Sequence, residues 1–283
     1  MVFDYYGEDI PQLEIAEVAR TSTGTYDFEL RRSAHFSNIS TSGGTEMPEN
    51  ITGYTLRQLG YAAFEKMGMT IDQLKTLIDN DFPIILPMWS SPSHVSGHFR
   101  VAVGYNNTHI MLHDPLIPIA YGQFALNLST FLDLWSLNRY YYGLFVSPWN
   151  VEINAPSNVE QGDTFTVTAK ITYPCPSPFS TSNYSSSLCN ATITLPTGLI
   201  LAQGETAKKP LGSLLAGSST MLNWAVEAEN GGTYNLTVEA EGKVAGYVDS
   251  HGIFPSYSYE DRIGGKSSCI LEVLVHDLSI ENI

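Results

Sequence analysis

The chain has 283 residues, with 14 Lys plus Arg against 29 Asp plus Glu and a formal net charge of -15. That balance excludes a nucleic-acid binder, which needs a concentrated basic surface to meet phosphates. A composition of 43% hydrophobic and 11% aromatic residues excludes a disordered acidic tail.

The length fits two domains, and the two halves follow different patterns. Met1-Val-Phe-Asp-Tyr-Tyr-Gly7 reads as the last turns of a helix stopped by a C-terminal glycine. Asp9 and Pro11 open a second helix through Leu13, Ala16 and Ala19 to Arg20, and Thr25 opens a third over Tyr26 to Phe36. Thr55 starts a fourth through Leu56, Leu59, Ala63 and Met67, stopped by Gly68. Thr70 and Gln73 form a capping box for a fifth, which carries Ile71, Leu74, Leu77 and Ile78. From Pro83 the period changes. Residues 83–89, 98–104, 108–113 and 141–146 read as strands, interrupted by a short helix through Phe131, Leu134 and Trp135. Helices first and a sheet afterwards predict an α+β domain over residues 1–148, with helices packed on an antiparallel sheet.

Beyond Val151 the helical signal vanishes. Phe165, Val167, Ala169, Ile171 and Tyr173 alternate with Thr164, Thr166, Thr168, Lys170 and Thr172, and later segments around Trp224, Leu236 and Val273 repeat the pattern. This predicts an all-β, immunoglobulin-like sandwich over residues 149–276. The stretch from Ala155 to Val167 resembles the opening strands of surface-exposed immunoglobulin-like repeats. Residues 277–283 alternate like Val151-Glu-Ile-Asn154 and read as the start of a further repeat. Together with the uncapped helix tail at Met1, they predict an interior segment of a longer surface protein.

The compartment is suggested by seven acceptor patterns for glycosylation, at Asn38, Asn50, Asn106, Asn127, Asn183, Asn190 and Asn235. They predict an extracellular or cell-surface glycoprotein. No signal peptide opens the chain, since Met1 is followed by Asp4, Glu8 and Asp9, and no apolar run approaches the roughly 20 residues of a membrane-spanning helix. Three cysteines are too few for a disulfide scaffold. Cys175 and Cys189 bracket a Pro/Ser/Asn-rich loop and are bridge partners in an oxidising compartment, inert thiols otherwise; Cys269 reads as core.

The densest polar constellation runs from Trp89 through His94, His98 and Tyr105 to His113-Asp114-Pro115. Two strands joined at Asn106-Asn107 form a hairpin whose open end brings His98 near His113 and Asp114. A histidine that moves protons near neutral pH needs a carboxylate or carbonyl to fix its tautomer, and Asp114 is the candidate. A two-residue turn puts His113 on the His98 face and Asp114 on the other. A three-residue turn, a bulge or an early strand end returns Asp114 to the His98 side.

Gly97-His98-Phe99 leading an apolar strand, then Gly104-Tyr105, a short turn and Asp114-Pro115, resembles the His and Asp motifs of papain-like cysteine peptidases, most nearly the bacteriocin-processing (double-glycine leader) peptidase family. Met1, Tyr5, Tyr6, Gly7, Glu8, Asp9, Ile10 and Ile15-Ala16 resemble the preceding helical phrases, and Gly24-Thr25, Leu56–Met67, Leu74–Ile78 and Pro83-Ile-Ile follow in order. The resemblance implies a papain-like α+β fold, His98 and Asp114 as catalytic residues, a peptide or protein as substrate or ligand, and neither cofactor nor metal. It also implies that the catalytic Cys starts the helix whose tail is Met1–Tyr6, with an oxyanion-hole Gln further upstream, both before Met1. Cys175, Cys189 and Cys269 sit in the sandwich and do not replace that sulfur. The chain as given is therefore expected to be inactive, and a longer form to attack peptide carbonyls through a thiolate.

Two rivals stand beside this reading. His94, His98, His113 and Asp114 include zinc-ligand types, and His94 with His98 is an i, i+4 pair, but Ser90–Gly97 reads as a Pro/Ser/Gly loop and not a helix. The alternative function is a non-enzymatic surface binding or adhesion module on an immunoglobulin-like stalk, with Trp89, Tyr140, Tyr141, Tyr142 or Trp149 lining a groove. Asp249, Glu260 and Asp261 lack a calcium-loop spacing. His35, His109, His251 and His276 read as structural.

Overall fold

The computed structural model describes residues 1–19, 24–37, 41–42, 59–116, 123–137, 140–249 and 256–275. Three helices open it: α1 (Val2–Tyr5), α2 (Gln12–Val18) and α3 (Asp27–His35). α1 ends as its sequence dictates: Gly7 takes a left-handed φ of 83° and donates its N–H to the Asp4 carbonyl at 3.0 Å. Strand β1 (Thr41–Ser42) follows, then β2 (Ala62–Lys66).

The expected helix through Ala63 and Met67 is thus a strand over Ala62–Lys66, while Thr55 and Leu56 lie outside the described residues. The reason is burial on both faces. Ala62 and Phe64 face one apolar cluster and Ala63 the other. A strand covered on both sides reads as a continuous apolar run, which periodicity alone does not separate from a helix.

α4 (Ile71–Asp79) forms where the capping box predicts. Thr70 Oγ1 accepts the Gln73 N–H at 3.2 Å, and Gln73 Oε1 accepts the Thr70 N–H at 3.0 Å. β3 (Ile84–Trp89), β4 (Gly97–Tyr105) and β5 (His109–His113) follow. Next come β6 (Gln123–Asn127), which the sequence reading did not mark, α5 (Leu128–Trp135) and β7 (Gly143–Ser147). The strands pair in the order β2-β7-β3-β4-β5-β6, all antiparallel. Ile84, Leu86, Met88, Ala102, Ile110 and Leu112 face Leu74 and Leu77 of α4 and Phe131, Leu134 and Trp135 of α5 in one cluster. On the other face Val101, Leu144 and Val146 cluster with Val2, Phe3, Val18, Ala34 and Phe36.

The second half is all strand: β8 (Asn150–Asn154), β9 (Asn158–Glu160), β10 (Thr164–Thr172), β11 (Ser186–Thr194), β12 (Leu199–Leu201), β13 (Lys208–Leu214), β14 (Ser219–Ala228), β15 (Gly232–Val248) and β16 (Tyr257–Leu274). They form a sheet in the order β1-β16-β15-β11-β13, with β9 parallel to β16, and a sheet in the order β12-β14-β10-β8. Val167, Ala169 and Ile171 of one sheet share a buried cluster with Ala191, Leu236, Val238 and Leu271 of the other. That is the inward set the alternation predicts.

The halves are joined by buried polar groups as well as apolar ones. β1, from the first half, adds to the edge of β16. Arg32 Nη1 meets Asp261 Oδ2 at 2.7 Å, and the Ser37 N–H donates to the other Asp261 oxygen at 3.1 Å. His35 Nδ1 lies 2.8 Å from Tyr259 Oη, fully buried, so its structural reading fits. Beside the junction two glycines permit close backbone approach within each half: a Cβ on Gly60 would overlap the His35 carbonyl, and one on Gly265 the Trp149 carbonyl. Cys175, Cys189 and Cys269 are free thiols, so the Cys175–Cys189 bridge is not formed. Cys189 is buried; Cys269 is half-buried, packed against the core rather than inside it.

Candidate active site

The β4–β5 hairpin builds the site from its turn outward. Asn106 Oδ1 accepts the N–H groups of Thr108 and His109 at 2.9 and 2.8 Å, and the Asn106 N–H donates to the His109 carbonyl at 2.9 Å. Tyr105 faces Ile110 and Gly104 faces Met111, but after a bulge at Val103 the register becomes Ala102–Leu112 and Val101–His113. Continued one rung, this sets Asp114 opposite Arg100 and on the His98 side. Of the alternatives open in the sequence, the bulge decides the register, and β5 ends at His113 just before Asp114.

His98 Nε2 lies 2.7 Å from Asp114 Oδ1, with the two side chains 15% and 6% exposed. The carboxylate holds two further donors: the Leu116 N–H on Oδ1 and Arg100 Nε on Oδ2, both at 2.9 Å. Burial works against the charge of Asp114, yet the hydrogen bonds from His98, Leu116 and Arg100 outweigh it and hold this carboxyl below its ordinary range. Asp114 therefore stays a carboxylate at neutral pH. With Nε2 engaged, Nδ1 is the ring nitrogen left for proton exchange.

Other predicted groups go elsewhere. His113, one rung removed, points to the face opposite His98. His94, at a left-handed φ of 55°, stacks on Trp89 with ring centres 5.2 Å apart and sets Nε2 3.0 Å from Asp133 Oδ2 of α5. Its neighbours Ser91 to Ser96 form a loop, as the composition indicated, and among the described residues no cluster of metal-ligating side chains is found. His109 Nδ1 is 2.8 Å from the Thr108 hydroxyl. Asp261 is spent on Arg32, Glu260 meets Lys243 at 3.2 Å, and Asp249 accepts from Ser256 at 3.4 Å. His251, His276, Asn38, Asn50 and residues 277–283 lie outside the described residues. Of the aromatic candidates, Trp149 is buried and stacked on Tyr173, Tyr142 is buried, Tyr141 meets Trp135 edge-on, and Tyr140 is exposed.

The sequence reading missed Arg100 and Asp133. Arg100 was findable: two residues past His98 on one strand, it necessarily shares that histidine's face. Asp133 had no local signal, because helix packing alone brings it to His94.

No curated protein matches the chain in sequence. Among solved structures, a cohesin module of a family 33 glycoside hydrolase from Clostridium perfringens is similar at 12% identity, over 46% of this chain and 99% of that one, with a TM-score of 0.25. An E. coli alpha-2-macroglobulin is similar at 17% identity over 60% of this chain, with a TM-score of 0.30, and the match spans 10% of that protein. Residues 1–141, which include the whole His98–Asp114 hairpin, match the family described as Peptidase_C39 like family, a likeness that supports a peptidase-like domain of C39, papain-like type in the first half of the chain.

Proposed function

We propose that residues 1–148 work as a papain-like cysteine-peptidase-like domain in which His98 exchanges the proton of a thiol nucleophile and Asp114 orients and stabilises the imidazolium. The 2.7 Å contact between His98 Nε2 and Asp114 Oδ1 carries the reading. In that reaction a thiolate attacks a peptide carbonyl, and His98 returns the proton to the leaving amine through Nδ1. The sulfur is not Cys175, Cys189 or Cys269. All three belong to the second half, and burial pushes the thiols of Cys175 and Cys269 up, the reverse of what a nucleophile needs. These 283 residues alone are therefore inert. Val2 and Phe3 of α1 pack on the face opposite His98.

The second half is an immunoglobulin-like sandwich in this reading, and the protein is an exported surface protein. Asn183 and Asn235 are exposed, as glycan acceptors require, and Asn106 stands on the exposed hairpin turn. The junction around Arg32 and Asp261 makes the sandwich a wall of the first half and not a detached stalk. Among the described residues no helix is long and apolar enough to cross a membrane.

The test is hydrolysis of a fluorogenic peptide library by residues 1–283 and by the complete natural gene product, each with and without His98→Ala. The segment should be inert, and the complete product should cleave and lose at least about 100-fold in rate with His98→Ala. Cleavage that survives His98→Ala would refute the assignment. An inert complete product that still binds peptides would favour the surface-binding alternative.

A further inference from the structure

We infer that Arg100 is the positioning residue of the His98–Asp114 pair, joining the carboxylate to the backbone at the exit of β3 so that Asp114 presents one fixed oxygen to His98. This rests on the reading above and adds a third residue to it.

Arg100 is buried, with a side chain 9% exposed, and its guanidinium is divided among three acceptors. Nε donates to Asp114 Oδ2 at 2.9 Å, Nη1 to the Trp89 carbonyl at 3.1 Å, and Nη2 to the Ser90 carbonyl at 3.0 Å. The Phe124 ring of β6 lies 5.6 Å from its Cζ. A buried cation is tolerated when its donors are met in this way. The planar fork fixes the angle between the carboxylate and the two carbonyls, which a lysine ammonium, a single point of charge, does not do.

The division of labour on Asp114 follows. Oδ1 takes His98 Nε2 and the Leu116 N–H, while Oδ2 takes Arg100. Turning the carboxylate about its Cβ–Cγ bond would carry both oxygens off their donors, Oδ2 away from Arg100 included, so the arginine opposes that turn. The far side of the guanidinium is equally fixed. Ser90 and Ser96 close the loop between β3 and β4 by a backbone hydrogen bond and a hydroxyl contact, both at 2.8 Å, and His94 stacks back on Trp89. The Val103 bulge that delivers Asp114 to His98 delivers it to Arg100 as well, since positions 98 and 100 share a face.

Imidazole 15N NMR on residues 1–283 tests this without a nucleophile. At alkaline pH the neutral His98 ring should carry its proton on Nε2, towards Asp114. Arg100→Met and Arg100→Lys should both convert that signature to a mixture of tautomers, with the native fold checked by the amide spectrum. Loss in Arg100→Lys separates positioning from charge, because lysine keeps the charge and loses the fork. Should Arg100→Met not fold, Arg100→Lys carries the test alone. A wild-type signature in either folded variant would overturn the role of Arg100. A wild type with no Nε2–H preference, unchanged by Asp114→Asn, would overturn the His98–Asp114 reading beneath it.

Discussion

Replacing Arg32 by Met removes the cation from a pair that sees almost no solvent. Nη1 stands 2.7 Å from Asp261 Oδ2, and the side chains are 4% and 0% exposed. At an effective dielectric of 20, the gross attraction at that distance is about 6 kcal/mol. Much of it is offset by the cost of drying both ions, so the intact pair adds little net stability. Removal is different. The Arg32→Met variant strands a buried carboxylate with the Ser37 N–H and hydroxyl still donating to it, at an expected cost of about 3–5 kcal/mol. It also forfeits the packing of the guanidinium over the Phe36 and Tyr259 rings, 4.8 and 4.4 Å from their centres. Urea unfolding followed by circular dichroism and by tryptophan fluorescence reads the loss, and the double variant Arg32→Met with Asp261→Leu should recover part of it. Because the pair lies between the halves, both probes should report one transition. A single-variant cost below about 1 kcal/mol, or a double variant that loses the sum of the two single losses, would refute the reasoning.

Three further outcomes are expected. The Asp114 carboxyl has a folded-state value below its ordinary one, so the native state binds fewer protons than the unfolded state; its contribution is complete above about pH 4 and disappears as pH falls through the depressed value. The acid limb of stability should accordingly flatten in Asp114→Asn, and parallel limbs for the two proteins would contradict the assignment. Burial pushes the Cys175 thiol up to about 11, so Ellman's reagent should react slowly with it in the native protein at pH 7.5 and fully in denaturant; prompt native labelling of Cys175 would show a different environment. Gly60→Ala drives a Cβ against the His35 carbonyl and should cost at least about 1–3 kcal/mol, read as a lowered Tm, whereas Gly24→Ala, with open space around it, should lose far less. Equal losses at the two glycines would remove the packing argument.

Elements whose signals are local follow from the order of the amino acids alone. The Thr70–Gln73 box fixed the start of α4, Gly7 fixed the end of α1, and the Phe165-to-Tyr173 alternation fixed the buried face of β10, because caps, positive φ and pleat depend only on near neighbours. That order also set His98 and Asp114 beside one another on a hairpin, though not on one face. That step belongs to the tertiary structure. A single bulged residue at Val103 shifts the pairing by one and moves Asp114 across the sheet, and no side-chain pattern in an apolar strand announces such a shift. The same holds for β2, whose two-sided burial imitates a helix, and for Arg32 with Asp261. Those two are 229 positions apart in the chain and acquire a shared environment only when the halves close on each other.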